Sequence, residues 1–232
     1  MKLFALDCAS VSASVALLDA DKVLGETFSN VALTHSQTLL PMAEELLHNT
    51  RTEPKEIDLF AVSAGPGSFT GVRIGVAAVK GLADALHTPC IAVSALEAAA
   101  YPFRDFEGIV CAAMDARCNQ VYTALFENGK QILEDSAMLI SELGEILKTH
   151  QKPVLFCADG AQKACDALKR DTDLPYRVAA SQMRYTHASS VGYLALERIE
   201  NGEAPISARN LQPIYLRLPQ AQRELNNKNQ TK

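Results

Sequence analysis

The sequence predicts an α/β protein built from two duplicated βββαβαβα domains, and three observations lead to this prediction. Short apolar runs typical of buried strands alternate with longer amphipathic segments typical of helices. The order of these segments in the first half of the chain returns in the second half, which predicts two similar domains with a cleft between them. A constant shift of 108 positions also pairs identical residues without a gap: Asp7 with Asp115, Ala16 with Ala124, Leu17 with Leu125, Lys22 with Lys130 and Glu26 with Glu134.

The first half starts with three strand-like runs, of which the second and third are joined by a short polar link that suits a hairpin. Thr34 starts a helix, because its spacing to Gln37 is that of a capping box. Pro41 should bend this helix or mark its true start. The predicted strands cover residues 2–7, 12–19, 22–29, 57–64 and 90–95, and two further helices cover 69–86 and begin at Leu96.

The second half repeats this order, with a helix that Ser141 is expected to cap. We predict domains over residues 1–104 and 105–186, and a C-terminal helix and tail over 187–232 that return to the first domain. The predicted elements of the second half are a strand over 108–115, a hairpin over 120–134, a helix over 142–150, a strand over 154–160, a helix over 161–170, a strand over 176–180 and a helix over 188–200.

The composition excludes several classes of protein. Lys and Arg total 22 against 27 Asp and Glu, and this acidic balance does not favour a protein that grips nucleic acid by itself. Six cysteines without CxxC spacing predict buried, reduced thiols rather than a zinc site or a disulfide framework. No signal peptide and no run of about 18 apolar residues are visible, so we expect a cytoplasmic protein with no membrane partner.

Duplicated domains with an aspartate at the end of each first strand resemble the nucleotide-binding architecture of actin, the sugar kinases and Hsp70. The resemblance implies that a nucleotide lies between the domains, with Asp7 and Asp115 near its phosphates and a metal ion. It adds Ser10, Gly65, Gly67 and Gly160 as candidate nucleotide contacts, with weak ATP or ADP binding and no cofactor required. Both first turns lack glycine, however, so the aspartates could also simply cap their strands, and Gly160 could belong to an ordinary strand–helix turn.

The most specific segment is "SAGPGSFTGVRIG", residues 63–75, followed by "VSALEAAA" at 93–100. Together with "THSQTLLP", "DAR" and "PIYLR", these segments closely resemble the TsaB (YeaZ) family over residues 1–217. This family provides a non-catalytic subunit of the bacterial machinery that makes threonylcarbamoyladenosine at position 37 of tRNA. The resemblance therefore implies a supporting role in tRNA modification.

The catalytic paralogue of that family, TsaD, carries a His-x-x-x-His pair on the helix after the fifth strand. The matching positions here are Ala95 and Ala99, whose methyl groups cannot bind a metal, so no metal site is expected. The histidines present, at 35, 48, 87, 150 and 187, show no such spacing. Ser68 lies in "GPGSFTG", which is not the GxSxG elbow of a hydrolase, so we predict no catalytic residue.

The helix over 69–86 carries a ridge of small residues, which allows close packing against a partner or against the chain's own sheet. By resemblance, this helix and the one from Thr34 pair with a TsaD-like catalytic subunit, or with a second copy when the chain is alone. A TsaE-like ATPase would join the complex, and tRNA would be reached through it. The candidate interface residues are His35, Leu39, Leu46, Gly71, Arg73, Ile74, Gly75 and Ala78.

Two other classes of function compete with this hypothesis. The first is an autonomous ATPase or small-molecule kinase that uses Asp7 and Asp115 across the cleft. The second is a peptidase, which the residues support least.

Overall fold

The computed structural model describes residues 1–31, 33–170 and 172–217. Within these ranges the chain forms two five-stranded sheets with helices packed on them. The strands are β1 (Lys2–Asp7), β2 (Ala13–Asp19), β3 (Lys22–Ser29), β4 (Leu59–Ser63), β5 (Cys90–Val93), β6 (Ile109–Asp115), β7 (Gln120–Glu127), β8 (Lys130–Leu139), β9 (Val154–Cys157) and β10 (Tyr176–Val178). The helices are α1 (His35–Asn49), α2 (Phe69–Leu86), α3 (Ala95–Ala100), α4 (Ile140–His150), α5 (Ala161–Leu168), α6 (Ser181–Arg184) and α7 (Ala188–Glu200).

The two sheets have the same topology. Their strand orders are β3-β2-β1-β4-β5 and β10-β9-β6-β7-β8. In each sheet the central strand, β1 or β6, pairs antiparallel with the next strand and parallel with the strand that follows the first helix. Asp7 pairs with Ser14, and Asp115 pairs with Val121, at corresponding ends of these central strands. The predicted duplicated α/β fold is confirmed.

The first sheet is covered on both faces because its strands alternate apolar side chains toward two helical layers. Phe4 and Phe60 face α1 and α2, and they belong to the larger core cluster. Leu3 and Leu18 face α7, where Gly192 lets the helix come close to Leu18. The C-terminal helix thus lies on the first sheet, whereas residues 218–232 of the predicted tail lie outside the described part of the chain.

The start of α1 differs in detail from the prediction. Thr34 is the residue before the helix, but its side chain makes no capping hydrogen bond, and only its carbonyl accepts the Gln37 N–H at 2.9 Å. Pro41 lies inside α1, so it does not mark the helix start.

The start of α4 corrects a prediction. The helix begins at Ile140, and the Leu139 N–H donates to the Glu142 carboxylate at 2.9 Å. Ser141 is therefore already inside the helix and does not cap it. The carboxylate at the third helical position satisfies the first free N–H group instead.

A C-terminal segment over residues 203–217 returns along the first domain toward the cleft. Ile206 and Cys90 exchange backbone hydrogen bonds of 2.8 Å. Lys80 of α2 donates its ammonium group to the carbonyls of Arg209 and Leu211 at 3.3 and 3.1 Å. The segment then reaches the loop after β4, where the Ile214 N–H donates to the Ala64 carbonyl at 2.7 Å.

Five of the six cysteines are buried free thiols, as composition predicted, but Cys118 is exposed in the turn between β6 and β7. Among the helices that the structure describes, none has both the length and the apolar character that crossing a membrane requires.

Candidate functional site

A cleft of about 490 Å³ lies between the two halves of the chain, at the ends of the central strands. Three of the six predicted nucleotide contacts, Ser10, Gly67 and Asp115, line it. The other three, Asp7, Gly65 and Gly160, do not. The cleft is lined by Ala9, Ser10, Val11, Pro66, Gly67, Ser68, Phe69, Thr70, Met114, Asp115, Ala116, Arg117, Tyr122, Asp159, Ile214, Tyr215, Leu216 and Arg217.

The glycines of the loop after β4 are needed by contacts within the chain. Gly65 has φ of +119°, and a Cβ placed on it would collide with the Ile214 carbonyl. A Cβ placed on Gly67 would collide with the Ala9 carbonyl, whose oxygen also accepts the Ser68 N–H at 2.6 Å. The loop therefore packs its backbone against the first turn and the C-terminal segment, and close approach of a phosphate is not required to explain these glycines.

Ser68 begins α2 as its capping residue. Its hydroxyl oxygen accepts the Gly71 N–H at 3.2 Å, which satisfies one of the free donors at the helix start. The Ser68 side chain thus stabilises the start of α2.

Asp7 is fully buried, with 0% of its surface exposed. Burial raises its pKa to about 7, although the Ala9 N–H favours the ionised form. Within the described ranges its Oδ2 atom has no hydrogen-bond partner, and neither has the buried Ser63 hydroxyl on the neighbouring strand. The Asp7 carboxyl is therefore enclosed in the core and, unlike Asp115, does not line the cleft.

Asp115 lies in the opposite environment. It is exposed, and its Oδ1 atom accepts hydrogen bonds from the Lys163 ammonium at 2.8 Å and the Arg117 N–H at 2.9 Å. Burial of the carboxyl acts to raise its pKa, but Lys163 and the Arg117 N–H outweigh it, and the pKa of Asp115 is lowered. The two strand-end aspartates are therefore equivalent in topology, but their pKa values are shifted in opposite directions.

Asp159 also lines the cleft, although the sequence pattern did not indicate it. It precedes Gly160 in the turn after β9, and its Oδ1 atom accepts the Asp115 N–H at 3.1 Å. Burial and the charge of Asp115 raise its pKa to about 6, against the hydrogen bond from the Asp115 N–H. Gly160 itself packs beneath β6, where a Cβ would lie 2.8 Å from the Asp115 nitrogen and 2.9 Å from the Ala113 oxygen. In the sequence, Asp159 directly precedes Gly160, which was the residue predicted to contact a nucleotide.

Two arginines were also missed as cleft residues. Arg117 follows the second strand-end aspartate, and it begins a run of three residues in the left-handed region, with φ of +62°, +49° and +56°. Arg217 donates from Nη1 to the Ala116 carbonyl at 3.3 Å, which joins the C-terminal segment to the second half. Both belong to segments, "DAR" and "PIYLR", that were used only for the family resemblance.

The residues present do not fit the divalent cation that the fold's resemblance implies. Asp7 is buried away from the cleft, and Asp115 already holds a lysine. Among the described residues, no group of three or more His, Cys, Asp or Glu side chains is arranged to hold a metal ion. Ala95 and Ala99, the positions that match the histidines of the catalytic paralogue, are buried in α3.

The predicted partner interface needs correction. Leu39, Leu46, Gly71 and Gly75 are buried in the chain's own core. Gly71 and Gly75 of α2 pack against the end of β1, whereas Gly81 of the same helix is exposed. A Cβ on Gly71 would collide with the Cys8 carbonyl, so this glycine serves internal packing. The other four candidates, His35, Arg73, Ile74 and Ala78, retain exposed surface.

An apolar groove of about 560 Å³ lies at the start of α1, beside the first turn of α2. Its floor and rim include the exposed side chains of Val11, Val31 and Leu33, none of which the sequence analysis selected. His35 connects this groove to the cleft, since its Nε2 atom lies 2.8 Å from the Ser10 carbonyl oxygen. The groove is lined by Val11, Asn30, Val31, Leu33, Thr34, His35, Ser36, Thr70 and Ile74.

Comparison with solved structures supports the assignment of the fold. The duplicated sheets define a two-domain α/β protein of the actin and sugar-kinase type. The inorganic polyphosphate/ATP-glucomannokinase from Arthrobacter sp. strain KM shares this fold at a TM-score of 0.54 and 10% identity, over 84% of this chain and 99% of that chain. This similarity concerns the fold alone.

Closer similarities identify the family. A model of the TsaD family, tRNA N6-adenosine threonylcarbamoyltransferase, matches residues 25–224. The tRNA threonylcarbamoyladenosine biosynthesis protein TsaB of Bacillus subtilis (strain 168) is 32% identical over 226 residues, 96% of each chain. A Pseudomonas aeruginosa crystal structure, described as an uncharacterized protein with similarity to peptidase YEAZ, has a TM-score of 0.79 and 30% identity, over 93% of this chain and 99% of that chain. The chain belongs to the TsaB (YeaZ) family.

Proposed function

We propose that this chain is a non-catalytic subunit of the machinery that forms threonylcarbamoyladenosine at position 37 of tRNA. The observation that carries the proposal is the relationship to TsaB over 96% of both chains. The alanines at positions 95 and 99 support a non-catalytic role, because methyl groups cannot replace the metal-binding imidazoles of the paralogue. The subunit would act in the cytoplasm.

The proposed partner is a TsaD-like catalytic subunit, which this chain would bind and stabilise. The apolar groove and the outer surfaces of α1 and α2 form the proposed contact. Val31, Leu33 and Leu40 are exposed there, and clustered apolar surface of this kind is typical of an interaction site. When the partner is absent, the same surface would join two copies of this chain.

The remaining roles follow from the complex. A TsaE-like ATPase would be recruited to it, and tRNA would be held mainly by the other subunits. The formal charge of −5 on this chain supports an indirect relation to tRNA, because a tRNA-gripping surface is usually basic.

The cleft offers a second, weaker function. Its position between the two first turns and the glycine loop favours weak ATP or ADP binding. This binding would be accessory, since the burial of Asp7 removes one of the two carboxylates that an autonomous ATPase or kinase would use.

One comparison tests the proposed function against an autonomous enzyme. The purified chain is assayed for ATP turnover alone and together with the TsaD-like protein of the same organism, and the two are co-purified. We expect a stable complex and no turnover by the isolated chain. Robust turnover by the isolated chain that Asp7→Ala abolishes would overturn the non-catalytic role.

A further inference from the structure

Three cationic side chains lie in or beside the cleft. Lys163 lies on α5 and donates its ammonium to Asp115 Oδ1 at 2.8 Å. Arg117 and Arg217 line the cleft itself. None of the ion pairs in the described part of the chain involves either arginine, although the charge of Arg117 also acts on Asp115.

The negative charge available to a metal is correspondingly small. Asp7 is fully buried and does not line the cleft. Asp159 is half-buried, and its Oδ1 atom accepts the Asp115 N–H. Asp115 is exposed, but two donors meet on one of its oxygens, and one of those donors is a cation. A divalent ion placed beside Asp115 would share that carboxylate with the lysine and would meet the repulsion of the two arginines.

From this arrangement we infer that the cleft binds a chain of phosphate groups without a divalent cation, with Lys163, Arg117 and Arg217 in place of the metal. Ammonium and guanidinium groups make strong charge-assisted hydrogen bonds to phosphate oxygens, and Arg can do so with two donors at once. The inference rests on the proposed nucleotide binding in the cleft and specifies the form that binds. A free nucleoside diphosphate or triphosphate is preferred over its magnesium complex.

The ligand chemistry could come from a nucleotide or from free inorganic pyrophosphate. Tyr122, Phe69 and Tyr215 bring three aromatic rings to the cleft, and Phe69 and Tyr215 lie with their centroids 4.9 Å apart. Aromatic faces beside a phosphate-binding surface favour a ligand with a base that can stack. ADP should therefore bind more tightly than pyrophosphate.

Calorimetric titration of the full chain tests the metal requirement. ADP and pyrophosphate are titrated separately, once with EDTA and once with a saturating excess of MgCl₂. We expect ADP to bind at least as tightly in EDTA as in magnesium. Binding that requires magnesium would overturn this inference and leave the proposed nucleotide binding intact. An absence of ADP binding under both conditions would overturn both, and pyrophosphate binding as tightly as ADP would overturn the preference for a nucleotide.

A pair of lysine variants tests the role assigned to Lys163. Lys163→Met should weaken metal-free ADP binding by about tenfold, the loss expected for one charge-assisted contact, and magnesium should then improve binding. Lys169→Met is the matched control, because Lys169 is exposed just beyond the same helix and pairs with Asp166 rather than Asp115. Equal binding by the wild type and Lys163→Met in EDTA would contradict the assignment. Both variants are first compared with the wild type by thermal unfolding.

Discussion

Gly75 of α2 lies directly against Cys8 at the end of β1. A Cβ placed on Gly75 would be 3.0 Å from the Cys8 sulfur and 3.5 Å from a methyl group of Val62. The Cys8 thiol in turn donates to the Gly71 carbonyl at 3.1 Å, so one turn of α2 sits on the strand end. Gly71 and Gly75 therefore allow the helix that follows the loop after β4 to lie close to the central strand, beside the cleft.

Gly75→Leu should destabilise the protein itself. The four added carbons would have to enter packed space beside Cys8 and Val62, and overpacking of this kind costs about 1–3 kcal/mol or more. The free energy of unfolding in urea measures the effect. Gly81→Ala is the control on the same helix, because no atom lies within 4 Å of a Cβ at that position. It should leave stability unchanged or raise it by about 0.5–1 kcal/mol. If Gly75→Leu and the wild type unfold at the same urea concentration, the structure beside Cys8 can move to accommodate the leucine side chain.

Asp7 should make the folded protein less stable as pH rises. Its pKa is about 7 in the folded chain against 3.8 ordinarily, so the folded state holds the proton more strongly than the unfolded state does. Stability should therefore fall as pH rises from about 4 to about 7, by a few kcal/mol, and then level off. Unfolding titrations over this range, compared between the wild type and Asp7→Asn, measure the contribution.

In Asp7→Asn, the neutral asparagine should remove this dependence of stability on pH. Asp7→Asn and the wild type should have similar stability near pH 4, and the variant should be the more stable protein near pH 8. Asp159 remains in both proteins, so its own titration contributes to both curves. A wild type that gains stability relative to Asp7→Asn as pH rises would show that Asp7 is ionised in the fold.

The fold could be predicted from the sequence because strand and helix patterns are local and the duplication repeats them. The aspartates at positions 7 and 115 could be placed at equivalent strand ends for the same reason. Their different environments could not be predicted, since Asp7 is enclosed by the core and by residues near Ser63, while Asp115 meets Lys163 from a later helix.

The role of the glycines in the loop after β4 could not be predicted from the sequence either. Gly65 needs its missing side chain because of the Ile214 carbonyl, which belongs to a segment at the far end of the chain. Small-residue spacing in α2 indicated close packing correctly but did not indicate which surface is packed. Val11, Val31 and Leu33 could not be selected as one groove, because they lie in turns without a helical or strand period.

His187 should lose its raised pKa when Glu26 is neutralised. The imidazole stacks on Phe28 with centroids 4.8 Å apart, and its Nδ1 atom lies 3.5 Å from a Glu26 carboxylate oxygen. The hydrogen bond that His187 donates to Glu26 raises the pKa of His187 above its ordinary 6.5, so the pair stabilises the fold below that pH and loses this effect as pH rises through the folded pKa. NMR titration of the imidazole should show the pKa of His187 lower in Glu26→Gln than in the wild type. An unchanged pKa of His187 in Glu26→Gln would show that another group raises it.

Leu33→Glu should prevent association with the proposed partner without destabilising the isolated chain. The Leu33 side chain is 58% exposed and lines the apolar groove, so a carboxylate is well solvated in the free chain but would be buried without a counter-charge in an interface. Co-purification with the TsaD-like protein and sedimentation of the chain alone measure association, and thermal unfolding measures stability. Ile132→Glu is the matched control, because Ile132 is 42% exposed on β8, in the second sheet. We expect Ile132→Glu to associate like the wild type. Loss of association in both variants would point to a general effect of added negative charge, and normal association by Leu33→Glu would place the interface away from this groove.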